Sequence, residues 1–239
     1  MAQLLQTPTR QLVEPDEARS RRRRGTFWTA LAAVEVVLAA GAVLLNLTSF
    51  PTFVLLALAG VSLALRREGL GTLGFRRAPH LWRLAATVLG LVVGWGLLSF
   101  ALIRPVINHL TGTTEDLSQY ANLQGNLGMV AGLLLITWTV AAFGEELAYR
   151  GFIQTRITDV LGRNLVGVVV AVVLTSALFG LAHAEYGTVG VAVTFADALF
   201  LSVLRLRYRT LWASILAHGF WNTIGIVGFY FIGPVNGFW

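Results

Sequence analysis

Seven apolar runs, at about 27–47, 50–65, 84–103, from 126, 165–183, 189–204 and 211–232, are separated by polar gaps, of which 104–125 is the one long loop. About 20 predominantly apolar residues carry a helix across the hydrocarbon core of a bilayer. Inside lipid, backbone N–H and C=O groups must be satisfied within the structure itself, which favours helices. The composition agrees: of 239 residues 56% are hydrophobic and 13% charged, with a mean hydropathy of +0.70. An ordinary soluble domain has no use for so much apolar surface. The expectation is an all-α polytopic membrane helical bundle of seven spans, or eight if the count is one short. The brief runs at 50–65 and 189–204 are the candidates for re-entrant segments. A polar tail, residues 1–25, precedes a single membrane domain, 26–239, without internal repeats.

The charges orient this bundle. All eighteen basic residues are arginine and the net charge is +6. With seven spans and the N-terminus in the cytosol, every arginine except Arg104 falls on or near the inner side, as the positive-inside rule requires. The segment 20–27 has some look of a twin-arginine signal. The apolar run that follows, however, has the length of a span rather than of a signal h-region, and reads as an uncleaved first helix. Arg21–Arg24 serve as an orientation signal with room for contact to anionic lipid. The expected location is a bacterial inner membrane. A surplus of arginine in such a chain speaks of topology and not of nucleic acid. No cysteine is present, which excludes disulfides, thiolate metal sites and a cysteine nucleophile.

The fourth run ends in Gly144-Glu145-Glu146-Leu147-Ala148-Tyr149-Arg150. Charges at membrane depth are costly unless paired, and mark functional sites by default. Glu146 and Arg150 are four apart on one helix face and can pair. Glu145 lies about 100° round the helix and is left for other work. Two further pairs stand at the same spacing in apolar runs: Phe179 with His183, and His218 with Asn222. Counted from the turn at Gly162-Arg163-Asn164, Glu145 and His183 are both roughly 27–30 Å along their helices. His218 stands only about 13 Å past Arg209 by the same rise. The three meet if the hairpin around Arg163 projects beyond the membrane. A carboxylate, two imidazoles and an amide in a dry pocket suit activation of water on a carbonyl. Glu145 would be the general base, histidine the orienter of water or a metal ligand, and the amide an oxyanion donor. There is no His-Glu-x-x-His zinc helix.

These three motifs, Glu145-Glu146-x-x-x-Arg150, Phe179-x-x-x-His183 and His218-x-x-x-Asn222, resemble in order and spacing those of the CAAX prenyl endopeptidases and bacteriocin-processing enzymes, the CPBP or Abi family. The run Arg209-Thr-Leu-Trp-Ala-Ser-Ile-Leu-Ala-His218 is similar to that family's approach to its last motif, and the likeness covers about 126–225. The resemblance implies a glutamate-dependent intramembrane protease with Glu145 and His183 activating water. It implies oxyanion roles for His218 and Asn222, and bracing by Glu146 and Arg150. It also implies a membrane-borne peptide or protein substrate, cut near the cytosolic face and near its own C-terminus. The family is often described as metalloproteases; a divalent ion such as zinc would fall to Glu145, His183 and His218.

Two readings from other classes stand beside it. One is a non-catalytic immunity or scaffold protein of the same family. The other is a proton-coupled transporter that uses Glu35, Asp197 and the glutamate pair as a relay. Taken singly, Glu35 and Asp197 read as hydrogen-bonded ties between helices, and Phe179 as packing. His80 and His109 sit in expected loops and carry no reading.

Overall fold

The computed structural model describes residues 15–45 and 51–234, with side chains from residue 25 on. The side chains of Arg21–Arg24 and the tail up to residue 14 lie outside the described residues. Within them the chain forms seven helical rods: α1 Pro15–Leu44, α2 Pro51–Arg66, α3 Leu81–Thr111, α4 Leu127–Leu161, α5 Leu165–Leu181, α6 Gly187–Tyr208 and α7 Leu211–Ile232. Five of them are long and apolar enough to cross a membrane, and α2 and α5 are the shorter apolar pair. This is an integral membrane, all-helical bundle.

Several boundaries follow local chemistry. Asn126 accepts a hydrogen bond from the Met129 N–H and Asn164 one from the Gly167 N–H, so each side chain caps the first turn of a helix. Gly162 ends α4 with φ +95°, a left-handed value open to glycine at little cost.

Other boundaries differ from expectation. The helix of the polar tail already begins at Pro15. The third helix does not stop at residue 103 but runs on to Thr111, because Arg104 is buried and neutralised by Glu115 from the following loop. The sixth helix is a full-length rod, so the short helix beside α2 is α5 and not α6. Arg205 and Arg207 extend it instead of forming a turn. Arg205 is accommodated by donating to the Leu73 carbonyl and to Thr155 Oγ1.

Buried side chains divide among the helix contacts. The largest core cluster joins α1, α2, α4, α5 and α6 through Ala39, Leu55, Phe152, Phe179 and Ala198. A second, around Val88, Val92, Leu201 and Ala217, joins α3, α6 and α7. Opposite ends of the bundle differ in character. At one end lie the arginine-bearing turns after α2, α4 and α6. At the other, the 112–126 loop bonds to α7 through Gly125 N–H to the Tyr230 carbonyl, and to the α5–α6 turn through Asp116 N–H to the Tyr186 carbonyl.

Candidate active site

The middle of α4, Thr137–Ile153, is wound more widely than an α-helix, with bonds from residue i+5 such as Gln154 N–H to the Tyr149 carbonyl. Wide-turn segments of this kind are rare and concentrate at functional sites. This stretch carries Glu145, Glu146, Tyr149 and Arg150.

Glu146 and Arg150 pair at 2.8 Å with both side chains fully buried. The same Glu146 Oε1 accepts from His218 Nδ1 of α7 at 3.0 Å, so the brace extends to a second helix. With Nδ1–H held there, the other ring nitrogen, Nε2, faces Glu145 Oε2 at 4.0 Å. That Glu145 oxygen is buried and has no hydrogen-bond partner among the described residues. Of the two adjacent glutamates, one is tied by a guanidinium and the other stands beside an imidazole.

His183 follows the last turn of α5. Its Nδ1 lies 2.8 Å from the Phe179 carbonyl, which can only accept, so Nδ1 carries the hydrogen and Nε2 is open. The ring thereby satisfies one of the orphan carbonyls that every helix leaves at its C-terminus. Phe179 does more than pack. Its buried ring touches Tyr149, His183 and His218 at centroid distances of 4.9, 4.6 and 5.9 Å. The Arg150 guanidinium lies over it at 4.2 Å, a cation–π contact in a desolvated setting. Phe179 therefore links both histidines to the brace. Asn222, half-buried one turn beyond His218 on the same helix face, makes no side-chain hydrogen bond among the described residues.

Close approach of α4 to α7 makes these contacts reachable. A Cβ on Gly219 would meet the Trp138 ring at 2.5 Å, so the glycine beside His218 is what lets Trp138 lie on the α7 backbone. Trp138 Nε1 also donates to Thr223 Oγ1 at 3.2 Å.

Sequence reasoning passed over the tyrosines. Tyr186 stacks on His183 at 5.9 Å and 18°, and its hydroxyl is 2.8 Å from that of Tyr120 in the 112–126 loop. Burial pushes the Tyr120 phenol up, only partly offset by the bond to Tyr186, which keeps it neutral. A tyrosine in an expected loop gives no periodic signal, so nothing in the sequence marks this pair. The turn holding His183 lies under the arginine-poor loop. The position of His183 therefore does not itself favour the arginine-rich side, on which the sequence reading sets the cut.

The other intramembrane acids now have partners. Glu35 pairs with Arg66 at 2.8 Å and Arg156 at 3.3 Å, and Asp197 accepts from Trp95 Nε1 at 2.6 Å. Both tie helices together, and neither is bonded to the glutamate pair, which leaves a proton relay without a connected path. Among the described residues no three His, Cys, Asp or Glu side chains converge as a metal-binding group.

No curated protein and no solved structure matches the chain. A family model does, over residues 127–224, and its description is type II CAAX prenyl endopeptidase Rce1-like. That stretch begins at the first residue of α4, ends beyond Asn222 and contains all seven residues of the three motifs. From α4 to the middle of α7 this integral membrane chain is therefore similar to the Rce1-like type II CAAX prenyl endopeptidases.

Proposed function

We propose that the chain is an intramembrane endopeptidase in which Glu145 activates the hydrolytic water. The reading rests above all on one observation: Glu145 Oε2 is buried, unbonded among the described residues and 4.0 Å from His218 Nε2, while its neighbour Glu146 is locked in a buried ion pair. A carboxylate without a protein partner is available for a proton; a braced one is not.

In this mechanism water donates to Glu145 and to the open Nε2 of His183, and its oxygen attacks the scissile carbonyl carbon. One water proton passes to Glu145, and the negative charge collects on the carbonyl oxygen. The Asn222 amide donates to that oxyanion. His218 donates through Nε2 only when doubly protonated, with Nδ1–H kept on Glu146. Collapse of the intermediate breaks the C–N bond, and Glu145 returns its proton to the leaving amine. Placed proton transfer contributes about 10²–10⁴ in rate, and an oxyanion donor about 10²–10³. The substrate class is a membrane-borne peptide or protein, with cleavage near its C-terminus, and the membrane orientation is N-terminus cytosolic.

The test is cleavage of a peptide library, farnesylated and unmodified, by the purified protein and by Glu145→Gln. Glutamine keeps the shape and removes the base, so cleavage is expected to fall at least about 10²-fold with helicity and thermal midpoint retained. Cleavage by Glu145→Gln at the wild-type rate overturns the mechanism. A wild-type protein that binds membrane partners and cuts nothing leaves the immunity or scaffold reading in its place.

A further inference from the structure

At the arginine-rich end of the bundle, away from the motifs, a cavity of about 480 Å³ opens between α1, α2 and α4 and the connections that follow α2 and α4. Its charged lining is Arg66, Arg76, Arg156, Arg163, Glu68 and Asp159. We propose that this cavity binds the phosphodiester headgroup of an anionic phospholipid.

The charges are arranged in two levels. At the floor, the Arg156 side chain is 2% exposed and all three of its guanidinium nitrogens are engaged: Nε with Ser62 and Glu35, Nη1 with Asp159 and Nη2 with Glu68. One buried arginine therefore occupies every nearby carboxylate. Arg66 adds bonds from Nη2 to Glu35 and from Nε to Ser62, and Nη1 makes none among the described residues. At the rim Arg163 is 74% exposed and uses only Nη2, on Asp159, and the exposed Arg76 makes no side-chain hydrogen bond among the described residues. Four guanidiniums thus face three carboxylates, and the surplus N–H groups point to one monoanion. A phosphodiester is such an anion, with oxygens spaced for guanidinium forks.

The flanks favour a lipid over a soluble phosphate. Trp28 lines the cavity and lies 5.0 Å from the Arg66 guanidinium, the amphipathic placement typical of a membrane interface. Beside these two residues in the chain, Phe27 and Leu65 are 60% and 58% exposed, apolar surface along which acyl chains can lie. Juxtamembrane arginines on the cytosolic side meet the anionic leaflet, and the orientation proposed above sets this end there. The site is independent of catalysis, since none of its lining residues belongs to the motifs.

The experiment uses the full chain in nanodiscs of phosphatidylcholine, with or without phosphatidylglycerol, read by native mass spectrometry and thermal midpoint. One phosphatidylglycerol is expected to survive mild delipidation, and the midpoint to rise by about 5 °C. The double variant Arg76→Gln/Arg163→Gln is expected to lose roughly tenfold or more of that retention, each lost charge-assisted bond being worth about a tenfold change. Arg83→Gln/Arg207→Gln, an equal loss of charge at two exposed arginines outside the cavity, retains it. Peptide cleavage by the double variant in phosphatidylcholine stays at the wild-type rate, which separates this site from the catalytic proposal. Equal phosphatidylglycerol retention in the double variant overturns the proposal. So does inorganic phosphate giving the same shift in phosphatidylcholine alone.

Discussion

Glu145 and Glu146 are neighbours in the chain, and their surroundings decide what each can do. Arg150 and His218 both hold Glu146, whereas Glu145 Oε2 has no hydrogen-bond partner among the described residues. Replacing Arg150 by alanine strands the Glu146 charge in a fully buried place. Breaking such a pair costs roughly 3–5 kcal/mol, and the Phe179 contact is lost with it. Arg150→Ala is therefore expected to unfold at a markedly lower temperature and to lose activity; a normal thermal midpoint with full activity refutes the bracing role. Asn222→Ala removes a half-buried amide with no partner of its own among the described residues, so stability is expected to hold. Its cleavage rate is expected to fall by about 10²–10³ without vanishing, in contrast to Glu145→Gln. Tyr186→Phe keeps the ring on His183 and removes only the bond to Tyr120. It is expected to alter activity less than Tyr186→Ala, which also uncovers the imidazole, and a kinetic comparison of the two separates stacking from hydrogen bonding.

The widely wound segment of α4 and the glycine next to His218 belong together at the scale of elements. α4 can hand Glu146 to His218 only because Trp138 lies on the bare backbone of Gly219. Gly219→Ala places a methyl group 2.5 Å from that ring and forces the helices apart. Overpacking of this kind costs about 1–3 kcal/mol, and cleavage is expected to fall together with the thermal midpoint. Gly225→Ala, on the same helix with nothing within 4 Å, serves as the control. It is expected to be neutral or stabilising by up to about 1 kcal/mol, the usual helix-propensity gain. Gly219→Ala with wild-type stability and rate shows that the close approach is dispensable.

Taken as seven crossings, the seven rods among the described residues put the beginning and the end of the bundle on opposite sides. The arginine asymmetry gives the proposed sense, N-terminus in the cytosol. Reporter fusions at the two termini are expected to report opposite sides, with the N-terminal one cytosolic; two reporters on the same side overturn the arrangement. The bundle also keeps its buried charges apart: the Glu146–Arg150 pair shares no ion pair with the Glu35–Arg66–Arg156 cluster at the arginine-rich end. This separation is what lets the lipid site and the motif site be tested one at a time.

The sequence by itself determined the class of fold, most helix positions, the turn at Gly162 and the pairing of Glu146 with Arg150. Each of these depends on local quantities: the length of an apolar run, a capping side chain, or a four-residue spacing along one rod. Even the meeting of three helices was legible as a condition, because residue counts fix depth along a helix whatever its neighbours are. Tertiary structure alone decided the rest. Arg104, Arg205, Glu35 and Asp197 looked like interruptions or unpaired charges because their partners, Glu115, Thr155, Arg66 with Arg156, and Trp95, lie on other parts of the chain. The bond from His218 to Glu146, the ring of Phe179 under Arg150 and the stack of Tyr186 on His183 are likewise contacts between helices and loops. In a membrane a charge is tolerated where a partner can reach it, and which partner arrives is settled by helix packing, which no single run of sequence contains.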